Sequence, residues 1–250
     1  MGGAVNRGNS QMAWWKLPGL ASVIDLVCPP RCAFCGMDLP GETAGGPLAC
    51  ASCADALSGD SARCGVCGEP MPSSACPCRG RCTDWDGMAV LASYGDDVRR
   101  QILRAKRPAG ESVAAAFAEL MVVKHRETFA TWRIDTVVSV PMHWRRRLAR
   151  GTSAADLLAG GVARRIRLPH CRLLRRCRAT PMQNELPFDD RRGNVRNAFV
   201  ASGGATGRRV LLVDDVTTTG ATLAECRRAL VEAGASAVYA AVVARADRGT

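Results

Sequence analysis

Apolar and polar positions divide this 250-residue chain in two near residue 85. Beyond that point short apolar runs alternate with stretches whose apolar residues recur every three to four positions. Residues 88–94 read as a strand, and 97–105 and 111–128 as helices. The second helix carries Val113, Phe117, Leu120 and Met121 at helical spacing. Residues 134–140 form a strand stopped by Pro141, and 152–166 a helix with Leu157 and Leu158 turned inward. Residues 195–200 and 210–213 read as strands, 221–233 as a helix closed by Gly234, and 237–243 as the last strand. Alternation of this kind predicts an α/β fold, a parallel sheet with helices on both faces. Such sheets hold ligands at the carboxyl ends of their strands, here in the loops after Val140 and Val213.

The second of those loops has unusual chemistry. Val210-Leu-Leu-Val213 runs into Asp214 and Asp215, then Val216, Thr217, Thr218, Thr219, Gly220, Ala221 and Thr222. A continuous apolar run is the mark of a buried parallel strand. A loop that enters a helix aims backbone N–H groups and the positive end of the helix dipole at one spot, which suits a phosphate. Threonine hydroxyls add donors, and Gly220 permits close backbone approach. Two carboxylates beside such a loop suit sugar hydroxyls or Mg²⁺, a hard cation that takes oxygen ligands and keeps waters. No Gly-Lys-Ser/Thr follows, so this is not a Walker-type loop. The segment resembles the signature of type I phosphoribosyltransferases, which bind 5-phosphoribosyl-1-pyrophosphate (PRPP).

Charge and cysteines refine the picture. The net charge is +11, and sixteen arginines lie between Arg145 and Arg209, a surface that attracts phosphates of PRPP, pyrophosphate or nucleic acid. An apolar fraction of 47% excludes a wholly disordered chain. The apolar stretch 14–27 is interrupted by Lys16, Pro18 and Asp25 and is too short to span a bilayer. No secretory signal is visible, so a cytoplasmic protein without membrane insertion is expected. Ten of the thirteen cysteines fall between Cys28 and Cys82. In a reducing compartment clustered cysteines mean metal rather than disulfides.

Cys32-x2-Cys35 is followed by Cys50-x2-Cys53, two pairs that close a tetrahedral zinc site. Cys64-x2-Cys67 begins a second site, with Gly68 repeating the knuckle glycine Gly36. Cys76, Cys78 and Cys82 offer three sulfurs for its two remaining places; Cys78 is the firmest of them, and spacing alone leaves the pair open. Cys28 stands before Pro29-Pro30 without a partner and reads as a spectator. Four-sulfur sites with no open position are structural rather than catalytic. The chain is therefore expected to comprise a lead over 1–27, a double zinc ribbon over 28–84 and a catalytic-type domain over 85–250.

The loop after Val140 reads Pro141-Met142-His143-Trp144-Arg145-Arg146-Arg147-Leu148-Ala149-Arg150-Gly151. Guanidinium groups suit a pyrophosphate by forked hydrogen bonding. A polar stretch follows later, with Thr180, Gln183, Leu186, Arg191 and Asn194 before Ala198-Phe199. A loop of that length is functional or disordered. The paired knuckles, this arginine loop, the polar stretch and the 210–222 segment, in this order, resemble the ComF family of double-zinc-ribbon, phosphoribosyltransferase-like proteins linked to competence and DNA uptake. That resemblance implies two structural zinc ions and PRPP bound with Mg²⁺. Asp214 and Asp215, with Val213 behind them, would contact ribose hydroxyls and Mg²⁺-bound water. Thr217, Thr218, Thr219, Gly220, Ala221 and Thr222 would cradle the 5′-phosphate, and Arg145, Arg146 and Arg147 would face pyrophosphate. It implies transfer or recognition of a phosphoribosyl group, or alternatively a nucleic-acid-binding accessory for single-stranded DNA uptake, with competence or helicase machinery as partner. The chain departs from the family at Thr152-Ser153-Ala154, where Phe-Asn-Gln is usual, and at Lys106, followed by Arg107-Pro108 instead of an aromatic. The twelve aromatic residues leave little for base stacking.

Overall fold

A computed structural model describes residues 29–40, 46–59, 61–71, 76, 78, 85–142, 153–178 and 195–246. Four parallel strands form the central sheet in the order β1-β6-β5-β2: β1 Gly87–Ser93, β2 Thr136–Ser139, β5 Arg209–Thr217 and β6 Ala237–Arg245. β6 is buried along all nine residues. Its unbroken apolar run is what a central parallel strand needs, because both of its faces are covered.

Side-chain alternation sorts the two central strands into two cores. Leu211, Val213, Tyr239, Ala241 and Val243 face one side, where α2 Asp96–Ala105, α3 Glu111–Lys124 and α5 Ala154–Ile166 pack. Val210, Leu212, Val238, Ala240 and Val242 face the other, against α6 Ala221–Glu232. The predicted α/β architecture with helices on both faces is therefore present. No helix among the described residues is long and apolar enough to cross a membrane.

Three expectations are corrected. The single helix over 111–128 is two, α3 and α4 Arg126–Trp132, broken at His125 with φ −111° and ψ 21°. The cause is tertiary: His125 Nε2 lies 3.1 Å from the Val90 carbonyl, and Lys124 Nζ donates to the Leu91 carbonyl at 2.7 Å. Both carbonyls belong to β1, the edge strand, whose exposed backbone groups need partners. The strand expected over 195–200 is only β4 Phe199–Ala201, because residues 195–197 turn and Asn197 sits at φ 54°. β4 pairs antiparallel with β3 Leu174–Arg176, an element the apolar pattern did not reveal, and the two form a separate hood over the α6 face. The strand expected to stop at Val213 runs on to Thr217, held to β6 by the pairs Asp214↔Val242 and Thr217↔Arg245.

The cysteine-rich segment does not stand apart. It contributes the helix α1 Ala51–Ser58 and two knuckles, and the first knuckle shares the core with α3. The second lies on the edge strand: Met88 N–H donates to the Gly65 carbonyl at 2.7 Å. At Gly68, φ is +73° and an added Cβ would come within 2.7 Å of Val90 Cγ2. Glycine is thus required there by conformation and by packing. The lead segment, Cys28, Cys82, His143, Arg145–Arg147 and the polar stretch 180–194 lie outside the described residues.

Candidate functional site

β5 outruns its neighbour. β2 ends at Ser139, paired with Val213, so Asp214 and Asp215 project beyond the β2 end of the sheet. Alternation sends them to opposite faces. Asp215 follows Leu211 and Val213 toward the α2–α3 side, and Asp214 follows Val210 and Leu212 toward α6 and the hood. The Asp215 N–H donates to Asp214 Oδ1 at 2.9 Å.

Each acid meets a cation. Lys106, at the end of α2, places Nζ 2.9 Å from Asp215 Oδ2. Arg176 on β3 lies over the Phe199 ring, 5.3 Å from its centroid, and its charge acts on Asp214. Burial, and then the Asp215 charge, push the Asp214 carboxyl well above its ordinary range; Lys106 and Arg176 offset part of this. This favours the protonated form of Asp214, and a cation bound beside it would favour the ionised one.

The loop after β5 is short. Thr218, Thr219 and Gly220 connect it to α6, and Gly220 caps the helix at φ 77° and ψ 0°. A Cβ at Gly220 would meet only Thr217 Oγ1, at 4.0 Å, so conformation and not crowding requires glycine. Thr219 Oγ1 accepts from the Ala221 N–H at 3.3 Å, which folds the loop back on the helix start. The first-turn amides of a helix lack intrahelical partners, and together with the dipole they can hold an anion. Thr217 is buried, Val213 is fully buried behind the acids, and Thr222 is partly buried in the first turn. The acid pair and the loop expected to take a phosphate are adjacent, at the end of β5 and the start of α6.

A polar cluster missed by sequence reasoning lies at the end of β2. Ser139 Oγ donates to Asp156 Oδ1 at 2.9 Å, and Arg172 donates to Asp156 Oδ2 at 3.1 Å. These groups line a small cavity of about 60 Å³ with Pro141, Met142 and Ser153. Ser153 caps α5 by accepting from the Asp156 N–H at 3.4 Å. The signal was in the chain: Ser153-x-x-Asp156 opens a helix as a capping residue with an acid in the first turn. Arg176 was missed, and Lys106 was noted only for the residues that follow it, because nothing local ties either to an acid far along the chain.

The cysteines gather into two tetrads, Cys32, Cys35, Cys50 and Cys53, and Cys64, Cys67, Cys76 and Cys78, with all sulfurs of each within 4.8 Å of one another. A tetrahedral zinc with Zn–S near ~2.3 Å needs sulfurs roughly 3.8 Å apart. Cys35–Cys50 are 3.7 Å apart, Cys64–Cys78 3.6 Å and Cys67–Cys76 3.4 Å. Burial alone would raise the Cys32 thiol, yet the N–H groups of Cys35, Cys50 and Phe34 outweigh it and bring it down to about 6. Each tetrad can hold a zinc ion. Of the three sulfurs offered for the second site, the described residues bring in Cys76 and Cys78.

Comparison with known proteins follows the same lines. A family model for the phosphoribosyl transferase domain matches residues 153–250. DNA utilization protein YhgH of Escherichia coli strain K12 is 34% identical over 224 residues, 85% of this chain and 96% of its own. Competence protein F of Haemophilus influenzae is 31% identical over 194 residues, 73% of this chain and 84% of its own. Among solved structures, the glutamine PRPP amidotransferase from B. subtilis complexed with ADP and GMP is 23% identical at a TM-score of 0.40, over 58% of this chain and 30% of its own. The chain belongs to the ComF family, the family of competence protein F and DNA utilization protein YhgH.

Proposed function

We propose that this chain binds PRPP at the end of β5 and transfers or recognises its phosphoribosyl group. The observation that carries the reading is the run of acid pair, αL glycine and helix start on β5 and α6. In this reading Asp214 and Asp215 hold the ribose hydroxyls. The backbone and hydroxyls of Thr217–Thr222 hold the 5′-phosphate, and Arg145, Arg146 and Arg147 meet the pyrophosphate. Among the described residues the end of β5 offers the two adjacent carboxylates of Asp214 and Asp215, too few for an all-protein magnesium cage, but suited to Mg²⁺ that is carried by polyphosphate and waters. That ion supplies charge neutralisation at the pyrophosphate. The chain's own part is to position the ribose and exclude competing contacts, so electrostatics and orientation dominate. Residues 28–84, with structural zinc in both tetrads, would brace the catalytic-type domain 85–250, and reduced thiols suit the cytoplasm.

Calorimetric titration with PRPP and Mg²⁺ tests this. Saturable binding to the wild type, lost in an Asp214→Ala/Asp215→Ala variant, is expected. A flat titration of the zinc-loaded wild type would end the PRPP reading.

A second reading rests on the hood. Arg172, Arg175, Arg178 and Arg196 are all exposed around it. Such a surface suits the phosphates of single-stranded DNA, and the names of the relatives, DNA utilization and competence, point the same way. Binding to a single-stranded oligonucleotide that weakens steeply between 50 and ~200 mM salt is expected. Affinity indifferent to salt would count against it.

A further inference from the structure

Lys106 is the one cation whose charged atom contacts Asp215 among the described residues. Its place is set from outside the catalytic-type domain. Two residues earlier, Arg104 donates through Nη1 to the Phe34 carbonyl at 2.5 Å and through Nη2 to the Ala33 carbonyl at 3.2 Å. Both carbonyls lie in the first knuckle, between Cys32 and Cys35. Arg104 also holds Gln101 Oε1 at 2.6 Å, so the last turn of α2 is clamped on both sides. The Lys106 N–H closes that turn on the Ile102 carbonyl at 3.2 Å.

An ammonium has three donors. One meets Asp215, which leaves two for another acceptor beside the same carboxylate. The side chain is 30% exposed and Asp215 19%, so the pair is partly accessible from solvent. A polyanion approaching two bare carboxylates would be repelled. With Lys106 beside Asp215 and the Arg176 charge acting on Asp214, each carboxylate has a counter-charge.

We propose that Lys106 is a ligand-binding cation of this site: it neutralises Asp215 and presents its free donors to an anionic oxygen on the pyrophosphate end of a phosphoribosyl ligand. Arg104 is the residue that positions it, through the first knuckle. The inference rests on the PRPP reading and adds a testable property to it. A protein with its own counter-charge at Asp215 needs external cation less, so loss of Lys106 makes ligand affinity steeply magnesium-dependent.

The experiment compares zinc-loaded wild type, Lys106→Met, Lys106→Gln and Lys106→Arg by PRPP titration in buffer with added magnesium and in magnesium-free buffer. A thermal melt of each variant accompanies the titrations. In the two neutral variants the ratio of affinities with and without magnesium should grow at least tenfold over wild type. Lys106→Arg should stay within threefold of wild type, and all melts should agree within a few degrees. If wild type binds PRPP and the neutral variants show its magnesium ratio within twofold, the role of Lys106 is overturned while the PRPP reading stands. Equal loss with and without magnesium, accompanied by a lowered melt, would make Lys106 structural and also overturn the role. Failure of the wild type to bind PRPP in either condition removes the PRPP reading and this inference with it.

Discussion

Phe34, in the first cysteine knuckle, stands edge-on to Phe117 of α3, with ring centroids 4.9 Å apart and planes at 61°. Both rings are buried, so the knuckle and the sheet-covering helix share one core. A metal module built this way cannot melt alone without exposing α3.

Phe34→Ala should therefore destabilise the whole protein by about 3 kcal/mol, the usual loss for truncating a buried aromatic side chain. Chemical denaturation followed by tryptophan fluorescence should keep a single transition at lower midpoint. An early separate transition that leaves the main midpoint unmoved would show the knuckle to be independent.

Arg245 and Glu69 make the matching tie for the second knuckle. The Arg245 side chain, at the end of β6, is 8% exposed and donates Nη2 to Glu69 Oε1. Arg245 pairs with Thr217 across the ladder, and the next residue, Ala246, donates its N–H to the Thr217 carbonyl at 2.8 Å. Glu69→Gln leaves a buried guanidinium poorly compensated and should cost about 3 kcal/mol. Adding Arg245→Met should recover part of that loss, because the uncompensated charge goes with it. A double-mutant cycle by denaturant titration measures the coupling, and strict additivity would contradict it.

Asp214 should make stability fall with rising pH. Burial, and next the Asp215 charge, push its carboxyl from its ordinary 3.8 to about 8. The folded state thus keeps a proton that the unfolded chain releases near pH 4. The folded-state advantage is complete below that pH and is lost progressively up to about pH 8. Asp214→Asn removes the titration. Its stability relative to wild type should rise between pH 5 and 8.5 by at least ~1 kcal/mol, each tenfold change in proton affinity being worth about 1.4 kcal/mol. Thermal melts of both proteins across that range decide it. A constant difference would mean that Asp214 does not titrate there.

Metal analysis tests the tetrads. Purified wild type should carry two zinc ions per chain, and Cys78→Ser should carry close to one. A second tetrad completed by Cys76 and Cys78 leaves Cys82 out, so Cys82→Ser should retain two. Loss of a full equivalent in Cys82→Ser would reassign the ligand.

Period and composition alone carried much of this protein. The unbroken apolar runs of β5 and β6 announced buried parallel strands, because a strand covered on both faces has no polar side to show. The order of acids, threonines and glycine after Val213 pointed to a tight strand-to-helix junction, which β5, Gly220 and α6 form. The Cys-x2-Cys pairs located the first tetrad and half of the second by chelate spacing. What local pattern could not contain was decided by contacts between distant residues. The break at His125 comes from carbonyls of an edge strand 35 residues away. The hood strand β3 is three residues long and exists through its pairing with β4, so it leaves no periodic trace. The extension of β5 to Thr217 depends on the β6 ladder, which overrides the polar character of Asp214 and Asp215. Among the described residues, bringing Cys76 and Cys78 to Cys64 and Cys67 needed the fold of the second knuckle. The pairing of Lys106 with Asp215 likewise depends on an arginine clamped to a knuckle some 70 residues earlier, a link through space that has no counterpart in sequence spacing.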